Sequence, residues 1–146
     1  EMTQLYNRNK YLDMVENYYP SVERIGVIFW DVNGLKETND NKGHEKGDLL
    51  ISGIAQTIHQ SVRVKDYVYR IGGDEFVAVL ENVDLETVSD IVDRWKGCLE
   101  FANKKSRITL SASVGYAAGA GSEIEQVVKR ADAMMYEEKQ KNKYHR

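Results

Sequence analysis

The chain has 146 residues, 42% of them hydrophobic, with one proline and eleven glycines, which suits one compact domain with a proper core. Its net charge of -3 offers no general basic patch for duplex nucleic acid, and no apolar run reaches the length of a membrane span or reads as a signal peptide. The lone cysteine, Cys98, excludes an internal disulfide, fits a reducing compartment and reads as a packing residue in a helical apolar pattern. In chain order, Tyr11, Leu12, Val15, Tyr18 and Tyr19 predict a short amphipathic helix over 9–19, ended near Pro20. The run RIGVIFW, Arg24 to Trp30, predicts a buried strand that stops at Asp31. The polar, glycine-punctuated stretch from Asp31 to Asp48 reads as a loop. Leu50, Ile51, Ile54 and Ile58 then give helical spacing over 48–60.

The segments DYVYRI and FVAVL read as strands of a hairpin, with Gly72-Gly73 expected to supply the positive φ angles of its turn. Leu85, Val88, Ile91, Val92, Trp95 and Leu99 mark another helix, and RITLSASVGY, 107–116, another strand. Ser122 and Glu125 predict a capping box before a last helix carrying Ile124, Val127, Val128, Ala131 and Met135. After the first short helix the order is strand, helix, strand, strand, helix, strand, helix. This is the split βαβ, ferredoxin-like plan of an α+β single domain, a central antiparallel sheet flanked by helices.

In that plan the first and third of these strands are antiparallel central neighbours, so the end of one meets the start of the other. Asp31, Asp74 and Glu75 are therefore expected to converge at one sheet edge. Like charges this close raise one another's pKa unless a cation sits between them. Magnesium, bound by one or two carboxylates with phosphate oxygens and water, suits such a site, and two ions can clamp a phosphoryl-type displacement. The glycine turn alone reads equally well as a polar turn; Asp31 tips it towards a metal site. In the following stretch Gly34 and Leu35 are candidate backbone donors to phosphate, with Lys36 adding charge. Asn39 and Asp48 are candidates for a base edge, because a carboxylate matches the paired N1–H and N2–H₂ donors of guanine, which adenine lacks. On local grounds alone Asn39 reads as a turn residue and Asp48 as a helix-start residue.

The motif RIGGDEF, which carries Gly72 to Phe76, resembles the signature of the GGDEF domain, the catalytic domain of diguanylate cyclases. DVNGLKETNDNKGHEKGD resembles that family's D-x-D-x-F-K-x-x-N-D-x-x-G-H-x-x-G-D segment, EMTQLYNRN its opening motif and KRADAMMYEEKQKNK its closing one. The four motifs, in order, span nearly the whole chain. The resemblance implies a nucleotide-cyclase or polymerase-palm-like fold and the condensation of two GTP into cyclic di-GMP with release of two pyrophosphates. In that reaction two protomers face each other in a transient homodimer, each 3′-hydroxyl attacks the other GTP's α-phosphate, and magnesium (or manganese) assists. It also implies roles. Asp31, Asp74 and the Val32 carbonyl would be metal ligands, and Glu75 would bind metal or activate the hydroxyl. Asn39 and Asp48 would hold guanine, and Lys139 and Lys143, four apart on one helix face, the β and γ phosphates. RVKD, Arg63 to Asp66, matches the family's R-x-x-D inhibitory motif, which implies a cyclic di-GMP product site; chemically, Arg63 can pair with phosphate and stack on guanine.

The chain departs from the family pattern at several positions. Asn33 stands where a second aspartate is common, Gln4 replaces a glycine of the opening motif, and Lys143 replaces an arginine. His44 reads as loop-structuring and Trp30 as packing. Because the chain starts inside the first motif, residues 1–146 are expected to be a catalytic domain cut from a longer, sensor-linked protein. It is expected to be cytoplasmic, or the cytoplasmic part of a membrane or soluble sensor, with no nucleic-acid partner and no membrane contact. The alternative to an active cyclase is a silent domain that binds GTP or cyclic di-GMP; a dimerisation scaffold is a third class.

Overall fold

Apolar alternation along the chain builds a five-stranded sheet with helices on both faces. The structure, a computed structural model, describes residues 5–144. The elements are β1 (Leu5–Tyr6), α1 (Arg8–Asn17), a 3₁₀ turn (Tyr19–Ser21), β2 (Arg24–Val32), α2 (Leu35–Lys42) and α3 (His44–Ser61). Then come β3 (Tyr67–Arg70), β4 (Glu75–Glu81), α4 (Leu85–Asn103), β5 (Ala112–Ala120), a second 3₁₀ turn (Gly121–Glu123) and α5 (Ile124–Tyr144). The sheet order is β1-β3-β4-β2-β5, antiparallel except for the short β1–β3 pair. Without β1 it is the split βαβ order expected from the sequence.

The central strand β2 is buried on both faces, and its period of two divides the core. Ile28, Trp30 and Val32 pack with Leu50 and Ile54 of α3 and with Val88 and Trp95 of α4. Ile25, Val27 and Phe29 pack on the other face with Val77 and Val79 of β4 and with Val127 and Ala131 of α5. Trp30, fully buried, meets Trp95 edge to face at 6.0 Å, so its place beside Asp31 is a packing role. β5 is a sheet edge, and α5 covers it with side chains four residues apart. The Val114 N–H donates to Glu138 Oε1 at 2.9 Å, the Tyr116 N–H to Met134 Sδ at 3.5 Å, and Arg130 Nη2 to the Ala118 carbonyl at 3.0 Å. This row occupies backbone groups that would otherwise template another strand.

Five local expectations are corrected. The stretch after Asp31 is not a loop: LKETNDNK forms α2, and α3 begins at His44 rather than Asp48. The predicted strand over 107–116 runs instead from Ala112 to Ala120, because the Asn103 side chain bonds both the N–H and the carbonyl of Leu110 and holds that approach out of the sheet. Only Gly34 and Gly43 among the glycines have positive φ. The hairpin loop is longer than two residues, with Ile71 N–H donating to the Glu75 carbonyl at 3.0 Å, so Gly72 and Gly73 need no left-handed backbone. Gly72 instead makes room: a Cβ there would lie 2.7 Å from Glu75 Oε1. The capping box fails by one residue, since α5 starts at Ile124 after a 3₁₀ turn and puts Glu125 at its second position. Finally, β1 is too short to carry a periodic signal. The opening-motif residues 1–4 lie outside the described residues.

Candidate functional site

The carboxylates meet where the sequence places them. Asp31 stands opposite Glu75 in the β2–β4 register, and the Val32 N–H donates to the Asp74 carbonyl at 2.8 Å. No return bond runs from the Asp74 N–H to the Val32 carbonyl, so that oxygen is left at the end of the ladder facing the turn. The Asp31 side chain is 14% exposed, and its Oδ1 is buried with no hydrogen-bond partner. Its Oδ2 lies 3.3 Å from Lys139 Nζ. Burial, and then the Asp74 carboxylate, push the Asp31 carboxyl above its ordinary range, against the pull of Lys139. Glu75 is also raised, by burial first and then by Asp31 and Asp74.

An orphaned carboxylate oxygen, repelled by its neighbours, is a place where a cation gains. The donors are hard: Asp31, Asp74 and the Val32 carbonyl suit magnesium or manganese with its remaining positions on phosphate and water. No group of three or more His, Cys, Asp or Glu side chains stands in ligating geometry among the described residues.

Sequence reasoning missed what Asn33 does. Its Nδ2 donates to Ser111 Oγ at 3.0 Å, and its Oδ1 accepts from Ser113 Oγ at 3.2 Å and from Lys139 Nζ at 3.3 Å. Lys139, expected on phosphates, thus lies across Asp31 and Asn33, reaching over from α5. Lys143 follows it on α5, and its side chain lies outside the described residues.

The phosphate expectation gains from the correction to α2. Gly34 is the N-cap with φ 79°, a left-handed conformation that glycine adopts without a Cβ clash. The first intrahelical bond is Thr38 N–H to the Gly34 carbonyl, 2.9 Å, so the N–H groups of Leu35 and Lys36 have no partner within the helix. Such a terminus favours an anion. A shallow cavity of about 290 Å³ lies against it, lined among others by Asn33, Gly34, Thr38 and Ser111.

α2 and α3 are joined through Gly43 alone, with φ 88°. The Asn39 amide lies against Gly47 of α3, in space a Cβ would occupy, and Asp48 is the next residue on α3. Asn39 and Asp48 thus come to one corner. The Asp48 side chain is exposed and has no hydrogen bond or ion pair among the described residues. His44 is the exposed first residue of α3.

Arg63 and Asp66 are paired with each other. Asp66 is 2% exposed and accepts from the Arg63 backbone N–H at 2.9 Å, from Nε at 2.9 Å and from Nη2 at 2.8 Å. Nη2 also donates to the Glu81 carbonyl at 3.0 Å. The remaining nitrogen, Nη1, has no partner among the described residues. Arg94 of α4, unremarked in the sequence, donates to the Ser61 carbonyl at 3.1 Å and brings a second guanidinium to this end of α3.

Comparison with known proteins gives one consistent result. The family model described as the diguanylate cyclase GGDEF domain matches residues 1–145. The bifunctional diguanylate cyclase/cyclic di-GMP phosphodiesterase MucR of Pseudomonas aeruginosa is 33% identical over 146 residues, covering 94% of the chain and 21% of MucR. Diguanylate cyclase DosC of Escherichia coli is 36% identical over 145 residues, covering 92% of the chain and 31% of DosC. The chain thus spans about a fifth to a third of these relatives. Among solved structures, the GGDEF domain of YfiN (TpbB) from Pseudomonas aeruginosa superposes with a TM-score of 0.78 at 27% identity, covering 96% of this chain and 93% of that one. The GGDEF domain of DgcB from Caulobacter crescentus, solved with c-di-GMP, shares the fold with a TM-score of 0.77 at 22% identity, covering 96% of this chain and 88% of that one.

Proposed function

This chain belongs to the GGDEF family of diguanylate cyclase domains, and from that premise we propose that it is itself a diguanylate cyclase, condensing two GTP into cyclic di-GMP. The observation that carries the reading is Asp31: its side chain 14% exposed, its Oδ1 unpartnered, raised by burial and by Asp74, at an edge flanked by the open N-terminus of α2. The α2 N–H groups of Leu35 and Lys36 receive phosphate oxygens. Lys139, and Lys143 beyond it, follow the β and γ phosphates, with Lys139 turning from Asp31 towards them. Asn39 and Asp48 take the guanine edge. Asp31, Asp74 and the Val32 carbonyl would hold a magnesium ion, which would supply positive charge against the α-phosphate and the departing pyrophosphate. Each protomer presents one GTP. A 3′-oxygen forms a bond to the partner GTP's α-phosphorus, the bond to pyrophosphate breaks, and the hydroxyl proton passes to Glu75 or to water. Two such steps close the ring.

Product inhibition at Arg63 and Asp66 is part of the proposal, in an adjusted form. Both Asp66 oxygens already accept from Arg63, so product meets Arg63 at the free Nη1, with Arg94 near, and Asp66 releases one bond to take a guanine donor. This site and the input from any sensor are cytoplasmic-facing in the proposal; no helix among the described residues is long and apolar enough to cross a membrane. The test is incubation of concentrated protein with GTP and magnesium, followed by chromatography. Cyclic di-GMP with two pyrophosphates for each, abolished by Asp74→Ala in a folded variant, supports the reading. Product formation unchanged in that variant refutes the site.

A further inference from the structure

A groove of about 500 Å³ lies away from the carboxylate edge, between α3, the C-terminal end of α4 and the segment 104–110. Its apolar surface is unusually open: Phe101 is 60% exposed and Leu49 51%. Lys46, Lys105 and Arg107 line it, with Gln56 and Gln60 and no carboxylate. None of the three cations forms an ion pair among the described residues. Lys105 Nζ stands 4.4 Å from the centroid of the Phe101 ring, so cation and ring face the groove together. In a chain of net charge -3, a run of unpaired cations around an apolar floor is a local reversal of the overall field.

The wall is rigid. The Asn103 side chain donates to the Leu110 carbonyl at 2.9 Å and accepts from its N–H at 2.7 Å, and Leu110 packs over Gly53, where a Cβ would lie 2.8 Å from it. A preformed, mostly apolar cleft with a few convergent polar groups, within the usual ~300–1,000 Å³, is the form of a small-molecule site.

We propose that this groove binds a small amphiphilic anion: an aromatic or branched apolar body bearing one carboxylate, sulfonate or phosphate. The body lies on Phe101 and Leu49. The head group reaches Lys105 and Arg107, with Lys46 at the other rim. The site uses no residue of the proposed cyclase machinery, so its failure and the failure of that reading are separate results. Segment 104–110 leads directly to Ser111, whose hydroxyl accepts from Asn33.

The probe is 8-anilinonaphthalene-1-sulfonate, with the neutral N-phenyl-1-naphthylamine beside it. Both are titrated into the ¹⁵N-labelled 146-residue chain and followed by fluorescence and amide shifts. The expected result is saturable binding of the sulfonate with shifts confined to 46–60 and 101–110. Lys105→Glu with Arg107→Glu weakens it by about tenfold or more, as lost charge-assisted contacts should, and leaves the neutral probe within about twofold. Phe101→Ala weakens both probes. All are surface changes that leave thermal melts unmoved. Sulfonate shifts centred elsewhere, or a charge reversal that moves both probes equally or neither, overturn the proposal. Shifts elsewhere would leave only a bare apolar patch of the kind a partner helix covers.

Discussion

Replacing Asp74 with Asn separates the stability of the sheet edge from its chemistry. The folded chain holds Asp31 and Glu75 above their ordinary carboxyl range, burial being the larger cause for each and Asp74 a further one. A carboxylate whose pKa is raised on folding binds protons more readily in the native state than in the unfolded one. Its contribution therefore disfavours folding increasingly as pH climbs from the ordinary carboxyl range through the folded values. Two unit charges ~4 Å apart repel by about 4 kcal/mol at an effective dielectric of about 20. Partial exposure, and Lys139 at 3.3 Å from Asp31, reduce this to a net ~1 kcal/mol. Asp74→Asn removes the charge and keeps the backbone carbonyl that accepts from Val32. The variant should be about 1 kcal/mol more stable than the parent at neutral pH, a rise of about 2–4 °C in Tm. That advantage should shrink as pH falls and the parent's edge protonates. Magnesium with 3′-deoxy-GTP, which lacks the attacking hydroxyl, should stabilise the parent by ~1.4 kcal/mol at ten times its Kd and the variant far less. Thermal unfolding by circular dichroism between acid and neutral pH, with and without the ligand, measures both. A variant no more stable than the parent at neutral pH, yet still gaining fully from magnesium and nucleotide, would refute the reasoning.

Asp48→Ala should weaken GTP by about 1–3 kcal/mol, since guanine's donors go unpaired; calorimetry that finds ATP bound by the parent as tightly as GTP removes the base-reading role. Arg63→Ala should abolish cyclic di-GMP binding in calorimetry and also cost about 3 kcal/mol in urea unfolding, because Asp66 is left buried at 2% exposure without its partner. Asp74→Ala should keep product binding, and the opposite pattern would put product in the carboxylate site. Glu138→Ala should cost about 1–2 kcal/mol by leaving the Val114 N–H unpaired at the β5 edge, with Glu138→Gln recovering most of it; equal loss in both variants would mean that charge, not the edge bond, matters. Specific activity should rise with protein concentration and reach its ceiling at lower concentration when a dimerising coiled coil is fused before Glu1, as effective concentration requires; a constant value across a hundredfold dilution contradicts the need for a second protomer.

The topology was legible because most elements here bury one apolar face and repeat it. Val27, Ile28, Phe29 and Trp30 announce a central strand, and Val88, Ile91, Val92 and Trp95 a helix, whatever lies far away in the chain. α2 was not legible for the opposite reason. Leu35 is the sole large apolar residue of LKETNDNK, so the segment has no stripe to repeat, and its Thr, Asn and Asp residues favour turns in isolation. It is helical because it folds back on α3 at Gly43, a tertiary cause. The β5 boundary shifted likewise, through Asn103, a residue on another element. The glycine turn was placed correctly and explained wrongly: the demand at Gly72 is space for the Glu75 side chain, not a backbone angle.

The site shows the same division between what is local and what is assembled. The meeting of Asp31 with Asp74 and Glu75 follows from strand order alone, because antiparallel central neighbours must bring the end of one to the start of the other. What strand order cannot say is how the charges are balanced. Lys139 approaches from α5, more than a hundred residues along the chain, and leaves Oδ1 of Asp31 bare while holding Oδ2. Asn33 makes this arrangement possible. An aspartate there would offer Lys139 a second carboxylate and add a further like charge to the edge. A neutral amide instead accepts Lys139 and Ser113 through one oxygen and donates to Ser111 through its nitrogen, so it steers the lysine without competing for a metal. Within the proposed cyclase reaction, the amide at Asn33 sets how firmly Lys139 is held over Asp31, and its effect would fall on the lysine's release towards phosphate.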